Sequence, residues 1–243
     1  MLPPSVDVAA AGASILNLAA VVSALHIHLD LPLPPSSLPP PTPSNDAKTK
    51  GKVKVLVYGG SSSCGGLAIR YLLTAGIEVV TTSSPQNRDF VTSLAKDIVG
   101  AKLEVLDHTL PRSTIIAALE SHGPYTKIFD TIGVPPVTDI ISTHISSLGG
   151  GSYNTLIPHM SPDPIPENVE RKFAAYSWAF DEEKWRGVRE WFYRYVGEGL
   201  ETGVVVPTRT HEVKGGLEGV QGVLDLMMQG GVSGRKLVMD PWA

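Results

Sequence analysis

Between Lys52 and Thr74 the chain reads KVKVLVYGGSSSCGGLAIRYLLT, and this stretch narrows the possible folds more than any other. Val53, Val55, Leu56 and Val57 form a short β-rich apolar run, with charge on one side and glycine on the other. From Cys64 to Leu73 apolar residues recur at helical spacing, at Leu67, Ala68, Tyr71 and Leu72. A strand that turns sharply through Gly59-Gly60 and three serines into a helix sets free backbone N–H groups at the helix start. Those groups and the helix dipole attract a phosphate. The stretch therefore predicts nucleotide binding.

Spelling separates the rivals. A Walker A loop needs Lys-Ser/Thr after its second glycine, but Gly60 and Gly65 are followed by Gly66-Leu67, so the phosphate lysine is missing. No serine sits in the Gly-x-Ser-x-Gly elbow of a hydrolase, and the strict Gly-x-Gly-x-x-Gly dinucleotide pattern is not met either. Gly59-Gly60-Ser61-Ser62-Ser63-Cys64-Gly65 still suits a dinucleotide diphosphate, with Gly59 at the tight turn and Gly65 at the close helix–strand approach. The plainer alternative is a Gly/Ser turn that merely links two elements.

The 243 residues are 42% hydrophobic, enough for a full core in one or two domains. A net charge of −4 and a pI near 6 leave no electrostatic footprint for nucleic acid. One cysteine, Cys64, allows neither an intrachain disulfide nor a cysteine-built zinc site, and the reducing cytosol is the expected compartment. Its simplest role is that of a small residue packed in the turn. Val8 to Leu25 is almost uncharged, but Asp7 heads it, Asn17 interrupts it and much of it is alanine, glycine and serine. That pattern predicts a buried helix capped near Ser5 rather than a membrane span.

Four segments are expected: a helical lead-in over 1–30, a proline-rich linker over 31–52, a dinucleotide-binding domain over 53–203 and a C-terminal tail over 204–243. The linker begins LPLPPSSLPPPTP, whose seven prolines in thirteen positions can enter neither a helix nor a central strand. Strands are expected near 53–58, 77–83, 103–107, 126–131 and 152–157, and helices near 64–75, 87–95, 112–121 and 136–147. A sixth strand is expected over Val169–Ser177. This alternation with short links predicts an α/β fold, a Rossmann-like doubly wound parallel sheet with helices on both faces. Ligands of such sheets lie beyond the carboxyl ends of the strands.

At that edge the second strand decides between cofactors. An acid there would bind the ribose of NAD and repel a 2′-phosphate. Glu78 opens the strand, so it points to the wrong end; the strand finishes Thr81-Thr82-Ser83-Ser84-Pro85-Gln86-Asn87-Arg88. Hydroxyls, an amide and a guanidinium suit a phosphate dianion, so Ser84, Pro85, Gln86, Asn87 and Arg88 point to NADPH. The alternative is a Ser/Pro/Asn turn that caps the next helix.

No metal site is expected. His26 and His28 are two apart and would face different sides of a helix, and the other histidines are scattered, as surface histidines would be. Asp181, Glu182 and Glu183 favour a helix N-terminus, followed by Trp185, Val188, Trp191, Phe192 and Tyr195 at the spacing of a packed helix face.

The blocks VLVYGGSSSCGGLAIRYL, SSPQN, FDTIG and GGLEGVQGVLDLMMQGGVSGRKLV resemble, in order, the medium-chain dehydrogenase/reductase superfamily. Within it the chain is similar to the zinc-free quinone-oxidoreductase-like branch that includes fungal trans-acting enoyl reductases of polyketide synthesis. The resemblance implies that Ser84 to Asn87 bind the 2′-phosphate ribose, and that His108 stands where the family often has a tyrosine beside the adenine. It implies further cofactor contacts at Ile132, Thr155, Leu156, Val232 and Ser233. Tyr176 and Phe180 match a segment that lines the substrate channel, or else they are core aromatics. The implied activity is NADPH-dependent reduction of an activated C=C bond in a small-molecule or carrier-bound enoyl substrate, with a polyketide synthase as partner and no membrane or nucleic acid. The GroES-like substrate domain that opens such chains is largely absent, so the chain reads as N-terminally shortened, and a non-catalytic dinucleotide-binding or accessory subunit is the alternative.

Overall fold

The computed structural model describes residues 6–34, 53–160 and 162–242. Ser5 and most of the proline-rich linker lie outside the described residues. Six parallel strands form one sheet in the order β3-β2-β1-β4-β5-β6: β1 (Lys54–Tyr58), β2 (Glu78–Ser83), β3 (Leu103–Asp107), β4 (Lys127–Asp130), β5 (Gly151–Thr155) and β6 (Val169–Lys172). The order reverses at β1, where crossovers run outward in both directions and leave a crevice at the carboxyl edge. The sheet is the Rossmann-like one that the strand–helix alternation predicts.

Side chains that alternate along each strand divide the core in two. Val55 and Val57 of β1 face α2 (Ser63–Thr74), while Leu56 and Tyr58 face α4 (Arg112–His122) and α5 (Pro135–Ser147). The first layer is the larger. It also takes in α1 (Val8–Ser23), Val91 of α3 (Arg88–Ser93), and Val188, Trp191, Phe192 and Tyr195 of α6 (Arg186–Thr202).

The cap of α1 is Asp7, whose Oδ1 accepts from the Ala9 N–H (2.9 Å) and the Ala10 N–H (3.3 Å). A wide last turn over Ala24–His28 prolongs the helix, the Leu29 N–H donating to the Ala24 carbonyl (2.9 Å). By length and composition Val8–His28 could cross a membrane, but here it packs one side against α2 and α6. Ala11, Leu18, Val21 and Val22 are buried, whereas Val8 and Leu16 are exposed.

One expectation changes beyond β5. The sixth strand stops at Lys172 instead of continuing to Ser177, and the chain turns over Tyr176–Asp181. The cause is Tyr176, whose hydroxyl reaches back to Asn154 (3.0 Å) and to the Thr155 carbonyl of β5. A separate parallel pair, β7 (Thr210–Glu212) and β8 (Lys236–Val238), brackets α7 (Val220–Met228).

Candidate dinucleotide site

The bend after β1 is shaped by close contact. Gly59 has a left-handed backbone (φ +92°), and a Cβ at Gly65 would fall 2.1 Å from the Gly59 carbonyl oxygen. Only glycine permits that approach of α2 to the strand. The Gly59 N–H donates to Thr82 Oγ1 (2.9 Å) and the Gly60 N–H to the Thr82 carbonyl (2.8 Å), so β2 holds the bend. Ser62 caps α2, its Oγ accepting from the Gly65 N–H (2.9 Å). The Ser61, Ser63 and Cys64 N–H groups have no hydrogen-bond partner among the described residues. Three donors at a helix N-terminus form the seat a diphosphate needs. Burial pushes the Cys64 thiol up to about 11, which disfavours the thiolate.

The loops at the carboxyl edge line up along the sheet. His108, exposed after β3, donates its N–H to the Ser83 carbonyl at the end of β2 (3.3 Å). Next comes the turn Ser84–Asn87, then the bend after β1. Beyond it lies Ile132 after β4, whose side chain fills the space a Gly59 Cβ would need. Thr155 and Leu156 close the row after β5. Asp130, fully buried at the end of β4, organises that side. Its Oδ1 accepts from the Ile132 N–H (2.9 Å) and Gly133 N–H (3.0 Å), and its Oδ2 from Thr155 Oγ1 (3.3 Å). Burial pushes the Asp130 carboxyl above the usual carboxylate range, against the pull of those donors.

Glu78 sits at the opposite end of β2, paired with Lys54 (3.2 Å), as the sequence placed it. The end of β2 carries no acid. Asn87 Nδ2 donates to Ser84 Oγ (3.1 Å) and to Ser233 Oγ (2.8 Å), and Gln86 Nε2 donates to the same Ser233 Oγ (3.0 Å). Ser233, 146 residues from Asn87 in sequence, is thereby joined to the turn, with Val232 half-buried beside it. Arg88 is arranged otherwise: its Nη1 is committed to the Val105 carbonyl of β3 (2.8 Å).

Arg209 was missed by sequence reasoning. Its Nη2 donates to Asn87 Oδ1 (3.0 Å), and its guanidinium lies 3.7 Å from the Phe90 ring centroid. Nothing local in the tail marks it, because the partner that defines its place is 122 residues away. The segment Val206–Arg209 and Gly234 lie against Ser61–Ser63 around a cavity of only about 10 Å³. The tail is thus fastened over the start of α2. Thr208 Oγ1 meets Ser63 Oγ (2.8 Å), and the Thr208 N–H donates to Ser14 Oγ of α1 (2.8 Å).

Tyr176 and Phe180 are buried in the core, Phe180 tilted against Phe192, as the core alternative has it. The histidines need correction as well. His26 is buried, its Nε2 2.6 Å from the Tyr71 hydroxyl, and His144 is buried beside Tyr125, so neither is a surface histidine. Among the described residues no three His, Cys, Asp or Glu side chains gather as a metal ion would require.

Fold and edge together define a Rossmann-type sheet with a candidate dinucleotide site at its carboxyl edge. No protein-family model matches the chain. Over 194 residues it is 32% identical to a trans-enoyl reductase of Aspergillus japonicus, covering 77% of this chain and 52% of that protein. It is 29% identical over 210 residues to the enoyl reductase component of the lovastatin nonaketide synthase of Aspergillus terreus, covering 77% and 53%. Among solved structures, the quinone oxidoreductase of Pseudomonas syringae superposes with a TM-score of 0.66 at 13% identity, covering 99% of this chain and 67% of that one. The CurK enoyl reductase superposes at 0.62 and 14% identity, covering 98% and 64%. The chain is therefore similar in sequence to fungal trans-enoyl reductases and in fold to quinone oxidoreductases and enoyl reductases. The chain spans about half the length of the curated relatives it matches.

Proposed function

We propose that this protein is an NADPH-dependent oxidoreductase that reduces the C=C bond of an enoyl thioester or a quinone-like acceptor in secondary metabolism. The observation that carries the reading is the pairing of two features on one edge. The open amides of Ser61, Ser63 and Cys64 suit a diphosphate, and the acid-free end of β2, with Ser84, Gln86, Asn87 and Ser233, suits a 2′-phosphate. A bound NADPH would supply the hydride. Ile132, Thr155 and Leu156 would back its ring, and Asp130 would keep the Ile132–Gly133 loop in place. Curated relatives are named trans-enoyl reductases, and one is a component of a polyketide synthase, which supports a carrier-bound enoyl substrate and a synthase partner. A lone cysteine suits the cytosol.

Titration of the purified protein with NADPH and NADH, followed by nicotinamide fluorescence, tests the reading. Tighter binding of NADPH is expected; preference for NADH, or binding of neither, defeats it. A second reading, a dinucleotide-binding subunit without turnover of its own, is favoured by the burial of Tyr176 and Phe180. Oxidation of NADPH by a crotonyl thioester or a quinone in the presence of this chain alone would remove it.

A further inference from the structure

We propose that Arg209 recognises the 2′-phosphate of the dinucleotide, so that the tail sets cofactor choice by clasping the end of β2. The inference rests on the dinucleotide reading above and adds to it a residue far from the nucleotide-binding motif. Arg209 bonds Asn87, which in turn bonds Ser84 and Ser233, so its guanidinium belongs to the cluster at the end of β2. Stacking on Phe90 fixes the plane of the guanidinium and leaves its edge for hydrogen bonds. Its Nε is buried and has no partner among the described residues.

The charge balance points the same way. Among the described residues no carboxylate comes within ion-pair distance of Arg209 or Arg235. Burial, and after it the charge of Arg235, lowers the pKa of Arg209. A partly desolvated cation is unfavourable by itself, and a dianion beside it would reverse the sign. The approach is also built into the backbone. A Cβ at Gly234, whose φ is +61°, would fall 2.4 Å from Asn87 Oδ1 and 2.5 Å from Arg209 Nη2. A plain brace for the turn would not need the unpartnered Nε.

Calorimetric titration of the full chain with NADPH, NADH, 2′,5′-ADP and 5′-AMP separates the cases. Arg209→Met should weaken NADPH and 2′,5′-ADP by about tenfold or more, the scale of a lost charge-assisted hydrogen bond. NADH and 5′-AMP should stay within about twofold of the parent, and Arg209→Lys should restore part of the loss for the phosphorylated ligands because it keeps the charge. Unchanged NADPH affinity in Arg209→Met, or equal losses for NADPH and NADH, would overturn the proposal and leave Arg209 a brace. Equal affinity of the parent for NADPH and NADH would overturn it while dinucleotide binding stood. Binding of none of the four by the parent would remove both readings.

Discussion

At Gly65 a single hydrogen decides whether α2 can reach the strand. A methyl there would lie 2.1 Å from a backbone oxygen, which no rotamer change relieves. Gly65→Ala should lower the unfolding free energy by about 1–3 kcal/mol, the usual range for overpacking, and abolish dinucleotide binding; urea denaturation and titration check both. Asp130 sets a sign for pH. Its carboxyl is raised by burial, so the folded chain holds that proton more readily than the unfolded chain does. The stability it contributes is full below the ordinary carboxylate range and is lost as pH rises through its raised folded value. Asp130→Asn should flatten stability against pH in that window while keeping an acceptor for the Ile132 and Gly133 amides. Asp130→Ala should cost about 1–3 kcal/mol by orphaning them.

Helices α1, α2 and α6 are held together by one hydroxyl. Tyr71 OH lies 2.6 Å from His26 Nε2 and accepts from Trp191 Nε1 (2.7 Å). Tyr71→Phe leaves the shape and removes the common partner of two buried groups. A loss of about 1–3 kcal/mol in thermal or urea unfolding is expected, with the sheet unchanged by circular dichroism. The network was not legible in the sequence, where His26 and Tyr71 read as a stray histidine and a helix-face aromatic. Each belongs to a different helix, and only the packing of those helices lets them share a bond. Arg70 is similar. Its side chain is buried at 5% exposure, holds Asp97 in a bidentate pair, and donates to carbonyls of Leu94, Gly203 and Val204. The arginine thus fixes the chain at the point where the tail departs from α6.

Across the whole molecule the sheet is covered on both faces, but α7 is not. Val220, Leu224, Met227 and Met228 are exposed, so this apolar surface is solvated in the chain as described. Leu224→Glu with Met227→Glu should change the unfolding free energy by less than about 0.5 kcal/mol while reducing binding of a hydrophobic dye. A larger loss of stability would show that α7 supports the fold.

The strands and helices from Lys54 to Thr155 were legible in the sequence because each carries its own periodicity and is bounded by its own glycine, proline or polar turn. The same holds for the bend Gly59–Gly65 and for the acid-free end of β2, which are local in chain and in space. Tertiary structure alone decided the rest. It ended β6 at Lys172, buried Tyr176 and Phe180, turned Arg88 toward β3, and brought Arg209 and Ser233 to Asn87. The physical reason is that local conformation follows from neighbours a few residues apart, whereas a binding site is a meeting of side chains whose separation in sequence carries no signal until the sheet and its helices have packed.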